Sequence, residues 1–187
     1  RLPLTMKRFL LLFVFAAVCT SGWVSLQAET ESQQKPSPEV AAVKPPATID
    51  EARDRARLLH EMVHGALQVV HRDFFDEENI HAIPSASLED VFREMSRGYG
   101  VEIKWLNVNT DVVNVDHQPE TEFDQIAAKG LAKDQPFVEA SEAGRYHYAG
   151  RIRLASQCLK CHLKHRTSTA DRTAGLVISM PLLKANR

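Results

Sequence analysis

Ile152-Arg-Leu-Ala-Ser-Gln-Cys158-Leu-Lys-Cys161-His162 carries an alternating apolar run straight into two cysteines and a histidine at fixed spacing. The chain has three cysteines in 187 residues, and the third, Cys19, lies near the other end. Its setting matters. Met6-Lys7-Arg8 precedes ten apolar residues, Phe9 to Val18, and Ser21, Gly22 and Gln27 follow before Ala28. A basic start, a short apolar run and small or polar residues ahead of an alanine are the marks of a secretory signal. Residues 1–28 are therefore expected to be a signal peptide cleaved after Ala28, which takes Cys19 away. The large Val18 disfavours a lipoprotein cysteine at Cys19. Ser21, Gly22 and Ser25 likewise disfavour an uncleaved anchor over residues 9–26. The expected location is the periplasm or another exported compartment, with no membrane insertion after cleavage. Cys158 and Cys161 are then a single pair in oxidising surroundings.

C-x-x-C-H is the attachment signature of c-type haem. Each thiol adds to one of two neighbouring vinyl groups at the haem edge, and two intervening residues let one backbone turn present both sulfurs. The adjoining His162 then lies under the iron and can ligate it. The motif predicts one covalent haem c per chain, bound through Cys158, Cys161 and His162. Three rival readings carry less. A thioredoxin-type redox pair lacks the surrounding βαβ pattern. Zinc held by Cys158, Cys161, His165 and one more histidine leaves His162 idle. A disulfide across so short a loop would do little for stability.

Hydrophobic residues make up 44% of the chain and charged ones 25%, ordinary values for one globular domain. That length buries a core without staples. Without the signal the chain has 20 basic against 24 acidic side chains, and this mild acidity argues against nucleic-acid binding. Residues 29–47 are Pro-rich and polar, too poor in apolar groups to fold, and are expected to form a disordered linker. The haem domain is expected over residues 48–187.

Thr48-Ile-Asp-Glu51 matches a capping box and opens a helix, along which apolar residues 52, 56, 59, 63, 66, 67, 70 and 74 keep helical spacing. His60, His64 and His71 fall within about 40° of one another on that helix, beside the apolar stripe. Ser87 to Met95 reads as a second helix capped by Ser85 or Ser87 and stopped by Gly98 and Gly100. Val101 to Trp105 alternates like a half-buried strand that continues to Asn109, and Val112 to Val115 reads as another. Glu122 to Lys133 is a third helix, closing near Gly130. Arg145–Tyr148 and Arg151–Leu154 resemble the arms of a hairpin turning at Ala149-Gly150, and Gly175 to Met180 is an apolar strand. Helices followed by several strands imply an α+β domain with an antiparallel sheet.

From Glu51 onward the chain resembles the single-haem, PAS-like c-type cytochrome domains of exported bacterial proteins and periplasmic sensor domains. The features that carry this are the N-terminal helix, Leu-Glu-Asp-Val-Phe leading to Val-Glu-Ile-Lys-Trp, Ile-Arg-Leu-Ala-Ser-Gln-Cys-Leu-Lys-Cys-His, and the closing Ala-Gly-Leu-Val-Ile-Ser-Met. The resemblance implies a PAS-like α+β fold with an N-terminal long helix and covalent haem, used in redox sensing or small electron-transfer roles. Some members supply the sixth iron ligand from a cysteine after the first helix, where this chain has Ser85. The sixth ligand is then another side chain, or water. Four histidines are candidates, in the order His71, His64, His81, His60, with Phe74 and Phe75 beside His71 as walls for a haem face. Met62 lies opposite the histidine row, and Met95 and Met180 read as core. Arg151 and Arg153 can pair with haem propionates or form a solvated strand face. Tyr146 and Tyr148 can pack on the porphyrin or across strands.

Two protein ligands on iron favour electron transfer or redox sensing with an unidentified redox partner protein. An exchangeable sixth position would instead make a gas-binding sensor module. No nucleophile–base pair, phosphate loop or paired carboxylates stand out, so an electron carrier or sensor is expected rather than an enzyme.

Overall fold

The computed structural model describes residues 43–74, 84–111, 114–154, 158–159, 168 and 170–184. Helix α1 runs Ile49–Phe74 and α2 Pro84–Tyr99, followed by strand β1, Glu102–Asn107. A 3₁₀ turn, Val115–His117, leads to α3, Glu122–Leu131, then to β2 (Phe137–Glu142), β3 (Arg145–Leu154) and β4 (Arg172–Pro181). The strands form one antiparallel sheet in the order β1-β4-β3-β2. The α+β class with an antiparallel sheet is as expected. Among the described residues no helix is long and apolar enough to cross a membrane.

The sheet has an apolar stripe on each face. Ile103, Trp105, Tyr146, Tyr148, Leu176, Ile178 and Met180 alternate onto one face, where Ala52, Ala56 and Val63 of α1 and Phe92 of α2 cover them. Leu106, Ala149 and Val177 point to the other face and meet Phe123, Ala127 and Leu131 of α3. Period-two alternation thus feeds two cores from one sheet. Trp105 fixes α2 as well, since its indole N–H donates to the Ser85 carbonyl at 3.1 Å and its ring lies 5.1 Å from that of Phe92.

Several local expectations change. Thr48 does accept the Glu51 amide at 3.1 Å, but the Glu51 carboxylate reaches back to the Ala47 amide rather than to that of Thr48. Ala66 and Phe74 lie on the solvent side of α1, and Phe74 is 78% exposed among the described residues. Helix α2 begins at Pro84, whose missing N–H costs nothing at a helix start, and runs through Gly98. It is Gly100, at φ +64°, that stops it. Val115 sits in the 3₁₀ turn rather than a strand, while Val112 and Val113 lie outside the described residues.

The largest correction concerns β3. It is one continuous ten-residue strand, and Ala149-Gly150 passes through its middle rather than turning. Its antiparallel partner β2 was not foreseen, and the turn between them is Ala143-Gly144, both at positive φ (49° and 76°). That geometry matches the tight turns whose twist suits a hairpin.

Candidate functional site

Position and chemistry first meet at the end of β3. Cys158 follows the strand after three residues, is half-buried, and packs against the apolar cluster on the α1 side of the sheet, next in sequence to the wholly buried Leu159. Cys161, His162, His165, His81 and Phe75 lie outside the described residues. The described part of the motif therefore sits on the apolar cluster that α1 covers. Leu59 and Leu67 of the same helix pack against that cluster too.

The imidazole row of α1 takes three different environments. His60 is 4% exposed and wedged between α1 and β3. Neither of its ring nitrogens makes a hydrogen bond of good geometry. The Glu61 carboxylate stands 3.4 Å from Nδ1, the His64 ring is 5.7 Å away, and the edge of Tyr148 is 6.0 Å away. Burial holds the His60 pKa below the usual imidazole value, so the ring is neutral at pH 7. His64 is half-buried with a ring nitrogen 2.9 Å from the Gln68 amide nitrogen, and His71 is half-buried in the last turn.

His60 gains its place from Gly150. A Cβ at residue 150 would stand 2.2 Å from Cδ2 and 2.4 Å from Nε2 of the ring. Only a residue without a side chain lets a helix imidazole lie on this strand. The angular reading of α1 could not separate the three histidines, because they share one stripe; their depth is set by what lies across from each. A glycine between the alternating apolar residues Tyr146, Tyr148, Ile152 and Leu154 was the available signal, and the expected turn had absorbed it.

Tyr148 continues the wall, with its ring stacked 5.5 Å from that of Phe137, and the Arg57 guanidinium lies 5.9 Å from the Phe137 centroid. Tyr146 is fully buried and donates its hydroxyl to Glu139, which also receives two 2.7 Å hydrogen bonds from Arg53 of α1. Both tyrosines are therefore inter-element packing groups. Arg151 and Arg153 are engaged by protein carboxylates, Asp134 and Asp171 respectively. They sit on the α3 side of the sheet, which fits the solvated strand face, the other reading open to them, rather than propionate pairing. Met180 is core and Met95 half-buried, as expected, and Met62 is 62% exposed on the far side of α1.

A second polar group lies on the α3 side. His147 Nδ1 is 2.7 Å from the Ser179 hydroxyl, and its Nε2 is 3.8 Å from Glu142. Sequence reading saw no such pair, because 32 residues separate the partners. The Ser179 side is 6% exposed and Glu142 is beyond hydrogen-bond range, so the arrangement is not a nucleophile with an oriented base. It borders a groove of roughly 490 Å³ also lined by Lys104, Asp124 and Phe123.

The donor set suits an iron porphyrin. Cys158 abuts an apolar cluster, and the same helix that covers this cluster offers three imidazoles, one of them buried with no well-formed hydrogen bond to either ring nitrogen among the described residues. Among the described residues no three histidine, cysteine or acidic side chains cluster as a metal site.

The Tll0287-like family model matches residues 44–176. A solved structure described as the crystal structure of the cyanobacterial heme-protein Tll0287 is similar at 13% identity, covering 74% of this chain and 97% of that one with a TM-score of 0.48. At that distance the likeness carries no argument about residues. No curated protein matches the chain.

Proposed function

This chain belongs to the Tll0287-like family, and from that premise we propose that it is an exported monohaem c-type cytochrome acting in electron transfer or redox sensing. The observation that carries the reading is the C-x-x-C-H run, with Cys158 seated on the apolar cluster beneath the imidazole-bearing helix. Cys158 and Cys161 would hold the haem by thioethers, and His162 would ligate its iron. A histidine of α1, first His71, would supply the second protein ligand. The bound iron supplies a one-electron couple. Cys158 packs against an apolar cluster that includes Val63, Ile152 and Leu159, and an apolar shell of this kind would exclude water and tune the potential of the iron.

The test is an optical spectrum of protein matured in a periplasm competent for haem attachment, oxidised and reduced, with and without carbon monoxide. The expected result is covalent haem, six-coordinate and low-spin in both states, and indifferent to carbon monoxide. His71→Ala is expected to turn it high-spin, and an unchanged spectrum would remove His71 as ligand. Rapid carbon monoxide binding by the unaltered protein would favour a gas-binding module. Zinc without haem would overturn the reading.

A further inference from the structure

Helix α1 has two apolar stripes. One faces the sheet. The other consists of Leu58, Met62 and Val69, which are 73%, 62% and 44% exposed, with Gly65 and Ala66 between them. At about 100° per residue Leu58, Met62, Gly65 and Val69 fall within about 60° of one another, on the side away from Ala56 and Val63. A soluble helix normally keeps that face polar. Gly65 sharpens the anomaly. It sits in mid-helix, where glycine costs roughly 1 kcal/mol relative to alanine, yet a Cβ there would meet nothing within 4 Å. No packing among the described residues accounts for it.

Charges frame the stripe at both ends. Asp54 and Arg55 lie at one end, Arg72 and Asp73 at the other, with the apolar residues between them. Within one copy Arg55 pairs with Glu51 and the Lys44 carbonyl, and Arg72 with Asp73, so charges from a second copy join or exchange with these pairs. A two-fold axis running antiparallel helices past each other preserves the side of the stripe on which each residue lies. Arg55 and Asp73 share one side, Asp54 and Arg72 the other. The axis therefore brings Arg55 to Asp73 of a second copy and Asp54 to its Arg72, each twice. It also lays Leu58 against Val69 of that copy, and Met62 into the space beside its Gly65. A parallel pairing would match the charges as well, Arg55 with the second copy's Asp54. It would, however, set Met62 on Met62 and leave Gly65 facing Gly65 across a gap. Large against small favours the antiparallel arrangement, as does the alignment of helix dipoles.

We infer that the solvent face of α1 is the self-association surface of this protein, pairing antiparallel with α1 of a second copy about a two-fold axis near Met62 and Gly65. The inference is independent of what the C-x-x-C-H motif binds. Attraction comes from the apolar stripe, since exposed ion pairs add little. The charges select register and direction, and an isologous contact of this kind closes on itself as a dimer.

The test is mass by sedimentation equilibrium on the full protein as purified, over a range of concentrations. A concentration-dependent dimer is expected, and Leu58→Glu, at a well-exposed site that should not affect folding, is expected to weaken it at least tenfold. Arg55→Asp and Asp73→Arg should each weaken it similarly, because each places like charges together. Mixing those two variants should restore the dimer, since every pair across a mixed dimer is then opposite in sign. Residues 55 and 73 of one chain lie about 27 Å apart along the helix, so only a second copy can produce that rescue. Mass of a monomer throughout, dimerisation unaffected by Leu58→Glu, or rescue by mixing Arg55→Asp with Asp54→Arg instead would each overturn the antiparallel pairing. Circular dichroism of each variant separates lost association from lost folding.

Discussion

The imidazole of His60 packs closely against Gly150, with Cδ2 only 2.2 Å from where a Cβ would be. This one approach ties helix α1 to the centre of strand β3 and explains why that strand carries a glycine.

Gly150→Ala is expected to lower stability by about 1–3 kcal/mol, the usual cost of forcing extra volume into a packed site. In a His60→Ala background the same change should be neutral or mildly stabilising, because the space is then free and alanine restricts the unfolded chain. Urea midpoints of the four proteins make the cycle. Additive effects would show that the two residues do not share that space.

Glu139→Ala removes the acceptor of both Arg53 hydrogen bonds and of the Tyr146 hydroxyl. Arg53 holds Glu139 below the usual carboxylate range, and burial together with Glu139 pushes the Tyr146 phenol up. The expected cost is about 2–3 kcal/mol, much of it from the stranded buried hydroxyl. In a Tyr146→Phe background the cost should shrink. Equal losses in both backgrounds would rule out that apportioning.

His147 is held below the usual imidazole pKa, by burial first, although Glu142 opposes the shift and Arg145 adds to it. The unfolded chain therefore takes up this proton at a higher pH than the folded one. Stability associated with His147 is present above pH ~6.5 and is lost as pH falls below it. Unfolding free energies measured between pH 8 and 5 should decline less for His147→Gln than for the unaltered protein. Parallel curves would contradict this.

Asp124 is 1% exposed at the start of α3, accepting from the Thr121 and Glu120 amides at 2.9 and 3.2 Å and from the Lys104 ammonium at 2.7 Å. Burial alone would raise its pKa, but Lys104 and Thr121 hold it below the ordinary value. Thr121→Ala should cost about 1 kcal/mol, the worth of one helix cap. Asp124→Ala should cost more, about 2–3 kcal/mol, since it also leaves two amides and a lysine without their acceptor. Thermal unfolding of the two variants checks the order.

Helix α1 and strand β1 were legible in the sequence because their signals are local. Ala52, Ala56 and Val63 repeat at helical spacing, and Ile103 and Trp105 alternate, whatever lies opposite them. The Ala149-Gly150 misreading shows the limit. Glycine after a small residue signals a turn when neighbours along the chain are all that is known, and it took the register of β3 with β4 to show an unbroken strand. Strand β2 was missed because Phe137-Val-Glu-Ala-Ser-Glu142 is half-exposed throughout and alternates weakly.

By itself the sequence determined the C-x-x-C-H spacing, the helical period of α1, the alternation of β1 and the apolar run of β4, since each depends only on residues a few positions apart. Tertiary structure alone decided that His60 is the buried imidazole of the row, that Gly150 receives it, and that His147 meets Ser179. Those relationships join residues 32 to 90 positions apart. A side chain's depth, its hydrogen-bond partner and the space left for it are properties of whatever the fold places opposite, and no periodicity along one segment encodes the other.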